Sequence, residues 1–111
     1  MPTTALVALT TLASKGDARA LVTALLGDHL IACGTLLPGG HSLYRWQGKV
    51  TEEAEVVVLL KTDRSKWDAL CAAVRDRPPY EAPELLALPV ERGLDRYLAW
   101  LTQEVVGDPQ A

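Results

Sequence analysis

Two segments of the chain carry apolar residues at the spacing of an amphipathic helix, and both are flanked by apolar segments too short to be helices. The spacing is i, i+3, i+4 and i+7, which places one apolar stripe along a helix. The residues in this pattern are Ala18, Leu21, Val22 and Leu25 in the first segment and Trp67, Leu70, Cys71 and Val74 in the second. Ser14 and Asp17 supply helix-start chemistry for the first helix, which is expected to end near His29. Such a chain is expected to pack two helices against a sheet.

The flanking segments predict strands and one further helix. Residues 5–9 are apolar on both faces of a strand, so this strand is expected to be buried on both sides. Residues 84–90 indicate a short strand after the second helix. The apolar positions between residues 94 and 105 follow helical spacing and indicate a last amphipathic helix.

The middle of the chain predicts a long hairpin. Residues 30–61 are extended in pattern, and residues 47–49 look like the tip where the chain turns back. The run Pro38-Gly39-Gly40 interrupts the first strand of this hairpin, so a bend or bulge is expected there.

The resulting element order is β-α-β-β-α-β with an added C-terminal helix. Two right-handed β-α-β units joined by a hairpin form the α+β arrangement called a ferredoxin-like sandwich. A length of 111 residues fits one domain, so residues 1–111 are assigned to a single ferredoxin-like domain with a long central hairpin. Because the two helices cover only one face of the sheet, the other face and the spare helix favour self-association.

Charge and hydropathy argue against two classes of partner. The formal net charge is -3, from 11 basic and 14 acidic side chains. Nucleic-acid binding usually needs clustered basic residues, and the longest basic-leaning stretch, residues 75–77, contains an aspartate. The longest clean apolar run, residues 56–60, is far too short to cross a membrane. We therefore expect neither a nucleic acid nor a membrane as a partner.

The cysteines and the first residues indicate the compartment. Cys33 and Cys71 form no Cys-x-x-Cys motif, and residues 1–5 lack the basic and apolar regions of a signal peptide. We therefore expect a cytoplasmic protein with reduced thiols.

A set of short motifs spread from Ala32 to Trp100 resembles the CutA family of divalent-cation tolerance proteins. The motifs are Ala32-Cys33, Pro38-Gly39, Ser42-Leu43-Tyr44-Arg45-Trp46-Gln47-Gly48-Lys49, Glu55-Val56, Lys61-Thr62, Pro79-Tyr80-Glu81-Ala82-Pro83-Glu84 and Tyr97-Leu98-Ala99-Trp100. The resemblance implies a homotrimer similar in architecture to PII-type signal proteins, in which the hairpin packs against neighbouring subunits. It also implies three lateral clefts between subunits.

The resemblance places five residues in or near these clefts: Tyr44, Trp46, Lys61, Tyr80 and Glu84. Tyr44 and Trp46 share one face of a strand, which fits packing at a trimer interface as well as the wall of a ligand cleft. Lys61 and Glu84 are either solvated strand ends or, in adjacent strands, a pair that could hold a polar ligand. Tyr80 lies in a proline-stiffened connection that either shapes the chain or presents the phenol to a cleft.

Metal binding is the property that the family name suggests, with copper as the proposed ion. Some members of the family carry copper ligands at positions that match Thr10, Arg77 and Pro78, and none of these can replace an imidazole or a thiolate. We therefore expect no copper site of that kind and no certain cofactor. The other potential ligands, which share no recognised spacing, are Met1, His29, Cys33, His41 and Cys71.

Three functions are considered. The first is a CutA-like trimer linked to divalent metal-ion tolerance or response, with a ligand bound in intersubunit clefts. The second is a PII-like signalling or scaffold trimer that binds a small ligand or a partner protein. The third is an enzyme that uses Lys61, Tyr80 and Glu84. The chain has no phosphate-binding loop, and Glu52 and Glu53 are neighbours that point to opposite faces of a strand, so no reaction is expected.

Overall fold

The computed structural model describes residues 3–77 and 83–106 of the chain. A short 3-10 turn, Arg64–Lys66, precedes the second helix. The strands and helices are β1 (Ala5–Leu12), α1 (Lys15–Gly27), β2 (Cys33–Trp46), β3 (Lys49–Asp63), α2 (Trp67–Arg75), β4 (Leu86–Pro89) and α3 (Asp95–Val106). The element order predicted from the sequence is confirmed. No helix in the described ranges is long and apolar enough to cross a membrane.

The four strands form one antiparallel sheet in the order β2-β3-β1-β4. β3 lies between β1 and β2, and β1 lies between β3 and β4. This order follows from two β-α-β units joined by a hairpin, so the ferredoxin-like prediction is confirmed. The sheet has two edge strands, the long β2 and the four-residue β4.

One side of the sheet, called here the helix face, forms the main core with α1 and α2. Ala8, Val58 and Leu60 on this face are fully buried. They alternate along β1 and β3 with side chains that point to the opposite side. The residues from the helices that pack here are Ala18, Leu21, Val22 and Leu25 of α1 and Leu70 and Val74 of α2. Both predicted apolar stripes therefore face the core. In the second stripe Trp67 is half-buried and packs against this core, and Cys71 is half-buried.

The opposite side, called here the open face, is defined by Val7, Leu9, Leu59, Leu86 and Leu88. The cross-strand pairs of Leu9 with Leu59 and with Leu86 place these side chains together. Val7 and Leu9 are only half-buried, so the expectation that the first strand is buried on both sides is wrong for a single chain. The physical reason is that the helices α1 and α2 cover only the helix face.

α3 covers one end of the open face. Leu101 and Val105 pack against Ala5 and Ala32 in a second, smaller core. The C-terminal end of α1 lies near α3, where the Nδ1 atom of His29 is 3.1 Å from the carbonyl oxygen of Glu104. The rest of the open face lies beyond α3 and is not covered by it.

Both ends of α1 follow local capping rules. The Ser14 side chain accepts a hydrogen bond from the backbone N–H of Asp17 at 3.1 Å, as the sequence predicted. At the other end the backbone N–H of Leu30 donates to the carbonyl of Leu25, which closes a Schellman motif. His29 occupies the left-handed position of this motif, with φ 57°. The helix therefore ends close to where the sequence indicated, and the left-handed position that follows it holds a residue other than glycine.

The hairpin extends past the core as a two-stranded arm, defined here as residues 40–55. A register shift between Leu37 and Gly40 confirms the irregularity predicted in the first strand. Gln47 and Gly48 both have positive φ values, 51° and 80°, as a two-residue type I′ turn requires. Because of the arm, the molecule measures 51 × 26 × 23 Å.

Asp63 connects β3 to the turn before α2. It is 5% exposed, and its carboxylate accepts hydrogen bonds from the Thr4 hydroxyl and from the backbone N–H and hydroxyl of Ser65 at 2.9 and 2.6 Å. Burial by itself raises the pKa of Asp63. The hydrogen bonds from Ser65 and Thr4 outweigh burial, so the pKa lies below its ordinary value of 3.8.

This lowered pKa predicts an acid-dependent contribution to stability. The ionised Asp63 stabilises the fold above pH 3.8, and that contribution is lost as pH falls through the lower pKa of the folded state. We expect Asp63→Asn to lower the free energy of unfolding at pH 7, with a smaller difference from the natural chain at pH 3. Urea unfolding at both pH values measures this. The same substitution at exposed Asp76 is the control, and an Asp63→Asn difference that does not change with pH would contradict the assignment.

Candidate functional site

The arm presents two aromatic side chains on one face. Tyr44 and Trp46 stand opposite Thr51 and Lys49, and they are 36% and 48% exposed. β3 is one continuous strand, and the extra residue of the register shift lies in β2, where Leu37 and Gly40 stand opposite Val57 and Glu55. Side chains therefore alternate along β3 from the arm into the core. The face of Tyr44 and Trp46 is therefore continuous with the open face of the sheet.

The same face of the arm carries two carboxylates. The Glu53 carboxylate beside the Tyr44 hydroxyl is the main reason that the pKa of Tyr44 is raised above its ordinary value; burial and the charges of Glu53 and Glu55 add to the shift. The Ser42 hydroxyl donates to the Glu55 carboxylate at 3.2 Å. This surface combines two aromatic rings with two carboxylates, one of which accepts a hydrogen bond from a hydroxyl group.

Lys61 lies on the open face of the core. It stands on β3 between Val7 of β1 and Cys33 of β2 and is half-buried. Its Nζ atom lies 3.9 Å from the Cys33 sulfur, a weak acceptor. A cation is therefore held among apolar neighbours at the sheet surface.

Glu84 is hydrogen-bonded to the C-terminal end of β1. Its backbone carbonyl accepts a hydrogen bond from the Thr10 hydroxyl at 2.7 Å, and its carboxylate accepts one from the Thr11 hydroxyl at 3.4 Å. Thr10 is 2% exposed, and its hydroxyl is used in this contact. The role of Thr10 is to anchor the segment that leads into β4.

Lys61 and Glu84 are not on adjacent strands, because β1 lies between β3 and β4. Lys61 stands opposite Val7, whereas Glu84 contacts Thr11, four residues further along β1. Four residues of a strand span about 13 Å. The pair considered from the sequence therefore does not form within one chain.

Tyr44 and Trp46 lie further from Lys61 than Glu84 does. Trp46 pairs with Lys49, which precedes Lys61 on β3 by twelve residues. That separation is about 40 Å along a strand. Tyr80 lies outside the described residues. The predicted cleft residues that the structure describes thus occupy three separate places in one chain.

The potential metal ligands do not converge in the part of the chain that the structure describes. No group of three or more His, Cys, Asp and Glu side chains there could hold a metal ion. His41 faces Glu52, with its Nδ1 atom 3.4 Å from the carboxylate, and His29 contacts a backbone carbonyl. Cys33 and Cys71 are free thiols on different elements. The donor set of one chain does not fit a transition-metal site.

Sequence reasoning missed Glu53 and Glu55 as part of the candidate site. The prediction that Glu52 and Glu53 point to opposite faces of the strand is confirmed, since Glu52 stands opposite Leu43 and Glu53 stands opposite Ser42. The alternation of side chains along the return strand could have revealed them, because it places Glu53, Glu55 and Lys61 on one face.

Comparison with known proteins identifies the family. The family described as CutA1 divalent ion tolerance protein matches residues 6–104. The divalent-cation tolerance protein CutA of Escherichia coli is 44% identical over 99 residues, which cover 89% of this chain and 88% of the relative.

Solved structures agree in fold. CutA from Xylella fastidiosa has a TM-score of 0.90 at 33% identity and covers 93% of this chain and 99% of its own. CutA from Archaeoglobus fulgidus, described as a periplasmic divalent cation tolerance protein, has a TM-score of 0.88 at 29% identity over 91% of this chain and 98% of its own. The chain belongs to the CutA family of divalent-cation tolerance proteins.

Proposed function

We propose that this chain acts as a homotrimer that binds a small ligand in clefts between its copies and contributes in that way to divalent metal-ion tolerance. The observation that carries the proposal is the apolar open face. Leu86 and Leu88 on it are 59% and 62% exposed, and Val7, Leu9 and Leu59 beside them are half-buried. Soluble monomers rarely leave a large continuous apolar patch uncovered. A second and third copy of the chain would cover it.

The arm supports the same assembly. It extends beyond the main core and exposes Tyr44 and Trp46 on the side that continues the open face. Large aromatic side chains are typical of the buried centres of protein interfaces. We therefore place the arm of one copy against the open face of a neighbour.

Assembly would also complete the candidate site. Trp46 is about 40 Å from Lys61 along the strand, so these residues can line one cleft only if they come from different copies. A cleft with an ammonium group, carboxylates and aromatic rings suits a small polar ligand. We propose that this cleft binds such a ligand.

We further propose that the protein works in the cytoplasm. Cys33 and Cys71 are free thiols, as is usual in a reducing compartment. The relative from Archaeoglobus fulgidus is described as periplasmic. Fractionation of cells that express the chain distinguishes the two locations.

A complementation experiment tests the proposed function. In bacteria that lack their own CutA, expression of this chain is expected to restore growth in medium with raised copper or zinc. A variant that cannot assemble, Leu88→Glu, is expected to fail at equal expression. Restoration by neither chain would contradict the role in tolerance, and restoration by both would contradict the need for assembly.

A further inference from the structure

Charges of opposite sign occupy different parts of the same face. Lys61 is on the open face of the core, and Glu53 and Glu55 are on the continuation of that face along the arm. The ion pairs formed among the described residues involve other side chains, at His41 with Glu52, Arg75 with Asp76 and Arg92 with Glu91. Neither carboxylate of the arm face has a cation within 4.0 Å among residues 3–77 and 83–106.

These charges cannot meet within one chain. Glu55 and Glu53 precede Lys61 on β3 by six and eight residues, which correspond to about 20 and about 27 Å of strand. All three side chains point to the same side of a single continuous strand. A contact between them therefore requires a second copy whose arm lies against the core of the first.

We propose that Lys61 of one copy forms an ion pair with Glu53 and Glu55 on the arm of the neighbouring copy. This inference rests on the trimer proposed above and specifies which groups meet in its interface. The occupant of the open face near Lys61 is thus the arm of a second copy of this chain.

Charge and burial favour this pairing. An ammonium group that is covered by a neighbour's surface loses its water and needs a carboxylate partner. Glu53 and Glu55 are two residues apart, about 7 Å, so their negative charges repel each other until a cation lies between them. The Ser42 hydroxyl donates to the Glu55 carboxylate at 3.2 Å and orients it on the arm face.

Zero-length crosslinking tests the contact directly. A carbodiimide joins an amine and a carboxylate only when they touch, and an intrachain bond from Lys61 to Glu53 or Glu55 is excluded by their separation. We expect covalent dimers whose digest contains Lys61 joined to Glu53 or Glu55. Lys61→Arg is the matched control, because it keeps the charge and the assembly but cannot be coupled. A trimer in which Lys61 couples to Glu84, or to no carboxylate, would overturn the inference and leave the trimer intact.

Charge reversal gives an independent readout. Lys61→Glu is expected to raise the dissociation constant of the assembly by roughly tenfold or more, since it places like charges together. Adding Glu53→Lys and Glu55→Lys to the same chain is expected to restore most of that loss. If the triple variant assembles no better than Lys61→Glu alone, the proposed pair is wrong. A natural chain that is monomeric at every concentration would overturn both the pair and the trimer.

Discussion

Replacing Leu88 by glutamate is expected to convert the assembled protein into folded monomers at micromolar concentration. Leu88 is 62% exposed in the single chain, so the new carboxylate stays in water when the chain is alone. In the proposed trimer the same position is covered by a neighbour. Burying an unpaired charge costs several kcal/mol, and about 3 kcal/mol per interface corresponds to roughly a hundredfold weaker association.

The matched control for this prediction is Leu26→Glu. Leu26 is also an exposed leucine, 41% accessible, but it lies on α1, on the other side of the sheet. Sedimentation velocity reports the assembly, and circular dichroism reports the fold of each variant. We expect Leu26→Glu to remain assembled while Leu88→Glu sediments as a monomer with unchanged secondary structure. A fully assembled Leu88→Glu variant would show that the open face is not the interface.

The second large effect is expected from Trp46→Ala on the arm. In one chain the Trp46 ring is 48% exposed and contributes little to the core. If the ring is buried against a neighbour, its removal costs about 3 kcal/mol or more, which again corresponds to roughly a hundredfold in the dissociation constant. The thermal stability of the dissociated chain is expected to change little.

Leu43→Ala serves as the control for the arm. Leu43 is three residues earlier on β2, stands opposite Glu52 and points to the other side of the arm, where it is 64% exposed. Light scattering over a dilution series compares the two variants. We expect Trp46→Ala to dissociate at a concentration where Leu43→Ala is still assembled. Equal behaviour of the two variants would remove Trp46 from the interface.

Local patterns were sufficient to predict most of the fold. Helical spacing located α1 and α2, Ser14 marked the start of α1, and the proline and two glycines at positions 38–40 marked the irregular strand. These features depend on residues close in sequence, and short-range chemistry determines them. The predicted tip at residues 47–49 differs by one residue, because Lys49 already pairs with Trp46.

Relations between distant residues were harder to predict. The sequence suggested that Lys61 and Glu84 could be neighbours, but β1 lies between β3 and β4, and Glu84, which precedes β4, is held by Thr10 and Thr11. Strand order depends on how the whole chain crosses over, which no local spacing reveals. The burial of β1 was overestimated for a related reason. A side chain on the part of the open face beyond α3 can be covered only by something outside the single chain.

The residue that adopts the left-handed backbone conformation after α1 was also not predicted from the sequence. Glycine is the usual residue at this position, and Gly27 and Asp28 precede it in the sequence. The chain instead uses His29, whose ring reaches the Glu104 carbonyl at the end of α3. A tertiary contact between two helix ends therefore accompanies an unfavoured backbone conformation, and a pattern read from one segment could not reveal it.

Native mass spectrometry of the protein purified without chelator tests whether the chain forms a trimer that binds a ligand. It reads the number of copies and any bound mass together, before and after addition of copper, zinc or common nucleotides. We expect a species of three times the 12.0 kDa chain mass that takes up a ligand in stoichiometric amount. A chain that remains at 12.0 kDa at every concentration would contradict the proposed trimer.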